Sequence, residues 1–153
     1  MGPPAQSQKL KAMNGTDAPR NSDPAYKAVS LALAVVFAIV GCIFVIFPNS
    51  IPEMFNSIAI SWGLAPTPAG EPALYWILAG AYMYLVTLLA ISMYLHPENR
   101  LFAWLLVNGK AASSLLSFSA YLLHQHYLIL LTNGVVDGSI GLLVFFLARK
   151  VPR

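Results

Sequence analysis

The sequence has one cysteine, Cys42, so no internal disulfide, CxxC redox pair or thiolate metal site can be assembled from this chain alone. Cys42 lies within an apolar run, where a free cysteine acts as a small packed or lipid-facing residue. Charge is scarce: 10% of residues are Asp, Glu, Lys or Arg, against about 25% in an ordinary soluble domain. There is no Gly-rich phosphate loop, nucleophile elbow, Ser/His/Asp order or pair of intramembrane carboxylates, so covalent catalysis has no visible apparatus. Gly109 before Lys110 is not a phosphate-loop element, because its flanking residues do not fit one. The net charge of +3 does not indicate nucleic acid, since the basic residues gather towards the chain ends without a basic stripe interleaved with aromatics. No period of about 20–50 residues repeats, which excludes a solenoid or an internal duplication.

What is present is apolar and bunched. Hydrophobic residues make up 58% of the chain. Lys, Arg, Asp and Glu are absent from Val29 to Ser50, from Pro72 to Pro97 and, apart from Lys110 and Asp137, from Leu101 to Ala148. A run of about 20 apolar residues crosses the roughly 30 Å hydrocarbon layer as a helix. The sequence therefore predicts an all-α, four-transmembrane-helix bundle, with spans at 25–47, 72–95, 99–123 and 127–148. Pro48 ends the first, Pro72 suits the first turn of the second, and Pro97 follows its end. The short "HPENR" and "HQH" connections make the second, third and fourth spans successive antiparallel neighbours.

Residues 1–24 are polar and proline-rich, with too little apolar surface to order themselves, and read as a flexible cytoplasmic tail. No small-residue cleavage site follows Phe47, so the first apolar run is expected to be retained as a helix. Residues 25–149 form the membrane domain and 150–153 a basic tail. In the first loop, Ile51, Met54, Phe55, Ile58 and Trp62 recur at helical spacing. They predict either an amphipathic helix lying in the membrane interface or an irregular cap over the helix ends. "APTPAGEP", Ala65 to Pro72, reads as a stiff linker.

Lys and Arg beyond the spans or in their terminal turns occur at Lys9, Lys11, Arg20 and Lys27, at Arg100, and at Arg149, Lys150 and Arg153, with none in the other two loops. An even number of spans puts both termini on one side, and the positive-inside rule makes that side cytoplasmic. The expected location is thus the cell membrane of a bacterium or archaeon. Trp62, Tyr75, Trp76, Tyr121 and Tyr127 fall towards the outer interface and Tyr94, Phe102 and Trp104 towards the inner one, as an aromatic belt would.

Lys110 and Asp137 are the two charges deep inside the spans. A charge at the bilayer centre costs about 2.5–3.5 kcal/mol on insertion scales and usually faces a bundle interior. The two residues lie nearly equally far from "HQH", so in an antiparallel hairpin they share a depth and can neutralise each other. Ser113, Ser114, Ser117, Tyr121 and His124 share the broad face of Lys110. The same depth argument sets Ser114 near Asn133 and Asn108 near Ser139, giving a polar seam of Lys110, Asp137, Asn108, Asn133, Ser113, Ser114 and Ser117. Gly134 and Gly138 form a GxxxG unit that permits close helix packing. The pair reads either as a register-fixing contact or as a gate, proton relay or head-group binder. His124 and His126, two apart on a turn, lack a third metal ligand unless Glu53 or Glu71 supplies it. Tyr82 and Tyr84 either pack within the bundle or line a flat-ring pocket, for instance for a quinone.

Four spans with cytoplasmic ends, a polar third helix and an aspartate after an "NG" step in the fourth resemble the DoxX-like group of small membrane proteins. That resemblance implies a link to respiratory quinone chemistry in some members and carries no catalytic residues over to this chain. Three functions fit: an accessory or assembly subunit of a membrane complex, with a protein partner or as a homo-oligomer; a small transporter or proton-coupled carrier; and a quinone-binding redox subunit.

Overall fold

The computed structural model describes residues 23–68, 73–123 and 126–150. Most of the polar N-terminal tail, the end of the proline linker, His124, Gln125 and residues 151–153 lie outside the described residues, as do the side chains of Tyr75 and Trp76. Five helices are described: α1 (Pro24–Ile46), α2 (Ser50–Ser61), α3 (Ala73–Leu95), α4 (Arg100–Leu123) and α5 (Leu128–Lys150). All but α2 are long and apolar enough to cross a membrane.

Local chemistry sets the ends. Asp23 Oδ1 accepts the Ala25 N–H ahead of Pro24, which fills the first turn where a missing N–H is harmless. Asn99 Oδ1 accepts from Leu101 N–H at the start of α4. Helix α2 closes on a Schellman turn: Leu64 N–H reaches Ala59 O and Gly63 N–H reaches Ile60 O, with Gly63 at φ 70°. Helix α5 continues through Arg149 and Lys150, two residues past the expected end at 148. Cations there complement the helix dipole, and the Arg149 guanidinium stacks 4.4 Å from the Phe145 ring centroid.

The spans pack mainly as two antiparallel hairpins, α1 with α3 and α4 with α5, joined more lightly through α3 and α4. Gly41 faces Met83 and Gly80 faces Val45; a Cβ on either glycine would fall 3.1 or 3.3 Å from its neighbour. These contacts run in opposite chain order, which fixes α1 and α3 as antiparallel. The buried core draws Tyr26, Leu33 and Phe37 from α1, Val86 and Met93 from α3, Leu106 from α4, and Val144 from α5. Outward, all four spans carry large exposed apolar residues such as Val35, Leu85, Leu115 and Leu142. A water-facing surface would not tolerate so continuous an apolar coat, and lipid requires it.

The short helix α2 touches α5 and buries only Ala59 of its residues, leaving Met54 and Trp62 exposed at 52% and 68%. Asn56 ties the loop down, its Nδ2 donating to Thr67 O at 3.0 Å and its Oδ1 accepting from Thr67 N at 2.8 Å.

Candidate functional site

The polar centre forms where all four spans meet. Lys110 on α4 and Asp137 on α5 face inward because their helical neighbours Leu106, Ser114, Gly141 and Val144 occupy the same buried stripes. Lys110 Nζ donates to Asp137 Oδ1 at 2.6 Å, with side chains 3% and 5% exposed. The other two spans close the site with rings: Phe37 of α1 and Tyr82 of α3 have their centroids 4.7 and 5.0 Å from the ammonium. Ring faces are negative, so this cage stabilises a cation withdrawn from bulk solvent. Tyr82 is held by a long hydrogen bond from its hydroxyl to Gly109 O, 3.4 Å.

Further along the hairpin, Ser114 Oγ donates to Gly134 O at 2.7 Å, and Asn133 Nδ2 donates to Ser117 Oγ at 2.7 Å and to Ser113 Oγ at 3.4 Å. Gly134 and Gly138 are turned towards α4. A Cβ on Gly138 would stand 2.9 Å from Ser114 Oγ, and one on Gly134 would meet the Phe118 ring at 3.1–3.2 Å. The two glycines therefore serve the packing of this chain's own α4 and α5.

Equal depth is right for the ion pair and insufficient for its neighbours, because helix phase also decides who meets whom. Ser114 faces Gly134 rather than Asn133, and Asn133 turns to Ser117 and Ser113. Asn108 leaves the seam altogether: its side chain is exposed and its Nδ2 donates to Trp104 O of its own helix at 2.8 Å. Ser139, its expected partner, donates to Val135 O.

Tyr82 and Tyr84 part company. Tyr84 lines an apolar groove of about 380 Å³ between α1 and α3, together with Gly41, Cys42, Val45, Met83 and Thr87, whereas Tyr82 turns inward to the ion pair. Phe37 is the wall between them, lining the groove and covering Lys110. Its part was not legible in the sequence, since α1 is apolar all round and periodicity marks no inward face.

One polar atom at the centre is unmatched. Asp137 Oδ2 is buried and accepts no hydrogen bond from the described residues, a deficit of about 1–3 kcal/mol. At the ends, His126 packs edge-on to Tyr121 at 5.2 Å and His96 lies 3.7 Å from Glu98, both exposed. No three His, Cys, Asp or Glu side chains cluster among the described residues; His124 and Glu71 lie outside them. No protein family, curated protein or solved structure matches this chain.

Proposed function

We propose that the protein is a multi-pass subunit of a prokaryotic cytoplasmic membrane, acting as an accessory or assembly component of a larger complex, respiratory in the reading that the DoxX-like resemblance suggests. The observation that carries this is the Lys110–Asp137 pair with its Phe37 and Tyr82 cage. The two charges in the middle of the spans engage each other at 2.6 Å in a closed centre contributed by every span, an arrangement suited to a rigid scaffold. A carrier would instead need a wet approach to Lys110, which is 2% exposed.

The topology belonging to this reading has both chain ends in the cytoplasm, supported by the basic residues at Lys27, Arg100, Arg149 and Lys150. In it, α2 lies in the outer interface, with its uncovered Met54, Ile58 and Trp62 towards the acyl chains. The test is native mass spectrometry after gentle extraction from the producing membrane. Co-purifying unlike subunits in fixed ratio support the accessory role; a protein that carries none under any mild detergent sinks it.

A second reading rests on the groove. Its 380 Å³ between α1 and α3 is lined almost wholly by apolar side chains beside Tyr84, the setting that a quinone ring or an isoprenoid tail takes. A lipid-soluble quinone retained through purification, and lost in Gly80→Leu, would move the function to that class.

A further inference from the structure

The outward face of α4 carries a pattern that the core does not use. Leu101, Leu105, Asn108, Ala112, Leu115 and Ser119 recur at alternating steps of four and three residues, and every one is exposed. The inward stripe of the same helix is the separate set of Ala103, Leu106, Lys110, Ser114 and Ser117. The exposed faces of the other spans carry the same spacing, as at Ile77, Ala81, Tyr84, Leu88, Ile91 and Leu95 of α3, so it is not the spacing but Asn108 that sets the face of α4 apart.

The asparagine makes this face more than an apolar coat. Between residues 31 and 46 and between 77 and 95, α1 and α3 expose only apolar and aromatic side chains, Cys42 included. Asn108 sits within one turn of Lys110, at the depth of the ion pair. One N–H of its amide is used on Trp104 O, while its Oδ1 accepts from no described residue. The other exposed amide on a span, Asn133, has its Nδ2 engaged by both Ser113 and Ser117. An amide facing hydrocarbon with a free acceptor and a free N–H is unfavourable, and helix-to-helix hydrogen bonding is how membrane proteins satisfy it.

We propose that this face of α4 binds α4 of a second copy of the same chain, as a parallel, two-fold dimer centred on Asn108. The occupant follows from complementarity. An amide holds donor and acceptor together, so it is completed by an identical amide across a two-fold axis. Copies inserted with the same topology have parallel α4 helices, which brings Asn108 opposite Asn108 of the second copy. The six seam residues carry no charge, so nothing in the stripe repels its own image. Ala112, one turn from Asn108, lets the backbones approach there. The inference needs α4 to span the membrane, and it is independent of whether unlike subunits are also bound.

The experiment is disulfide mapping in the producing membrane, in a Cys42→Ala background, with single cysteines at Leu105→Cys, Ala112→Cys and Leu115→Cys and controls at Leu85→Cys and Leu142→Cys, both exposed on other spans. The expected result is oxidised homodimer at the three seam positions, at least about fivefold above the controls. Asn108→Leu should weaken energy transfer between labelled copies in dilute vesicles about fivefold or more, with Asn108→Gln recovering part of it. Because Asn108 bonds only its own helix, the melting of the monomer in detergent should not fall in Asn108→Leu. Equal cross-linking at seam and control positions, undiminished association in Asn108→Leu, or seam adducts formed only with an unlike chain would each overturn the dimer. The last would still leave the accessory role standing.

Discussion

At the scale of single residues, a charge buried with its partner costs less than the same charge buried without it. Lys110→Met strands Asp137, whose Oδ2 already lacks a donor among the described residues, and is expected to destabilise the protein by about 3–5 kcal/mol. Lys110→Met combined with Asp137→Leu removes both charges and should recover much of that loss in a detergent melting assay. A double variant as damaged as the sum of the singles would show that the two residues are not coupled. The glycines of α5 give a second contrast. Gly138→Ala drives a methyl to 2.9 Å from Ser114 Oγ, whereas one at Gly141 finds its nearest atom at 3.5 Å. Gly138→Ala should therefore cost about 1–3 kcal/mol and Gly141→Ala much less; equal melting points would contradict the close approach. The ion pair could be found from the sequence because two charges in apolar runs stand out and equal distance from a turn sets equal depth. Its aromatic cage could not, because Phe37 and Tyr82 sit on helices without a visible inward face.

Among the elements, α2 is the one whose exposed face needs an environment. Its stripe reads in the sequence as an amphipathic helix or as an irregular cap, and the segment folds as a helix ended by the turn at Gly63. With Trp76→Phe and Trp104→Phe leaving Trp62 as the only tryptophan, its fluorescence should be quenched more by a shallow than by a deep acyl-chain bromine label. Stronger deep quenching would place α2 inside the hydrocarbon layer instead of along it. Asn56→Ala removes both hydrogen bonds to Thr67 and should speed proteolysis between Trp62 and Pro68 without moving the melting of the bundle. A melting point lowered as far as by Lys110→Met would mean that this loop is part of the core. The helix ends were legible to within two residues, because prolines, Asp23 and Asn99 act locally on the first and last turns.

For the whole molecule, the distribution of charge governs insertion. With basic residues near the ends of α1 and α5 and at the start of α4, tags at both chain ends should be cleaved by protease in inside-out vesicles and protected in sealed right-side-out ones. One end cleaved in each preparation would require an odd number of crossings and remove the four-span topology. The bundle itself is two hairpins joined where Phe37 and Tyr82 cover Lys110, and the ion pair lies within the α4–α5 hairpin, so its loss should loosen that hairpin as well as the contact between hairpins.

The sequence by itself determined the four apolar spans, their ends and the depth at which Lys110 and Asp137 meet, since each depends on composition, local capping or distance along one helix. Which faces turn inward was decided only by the tertiary structure. In lipid, apolar residues pack as readily against acyl chains as against one another, so periodicity loses the contrast that marks a buried face in water. That is why Asn108, expected beside Ser139 in the seam, stands instead on the outer surface of α4, and why Gly134 and Gly138 belong to the hairpin itself.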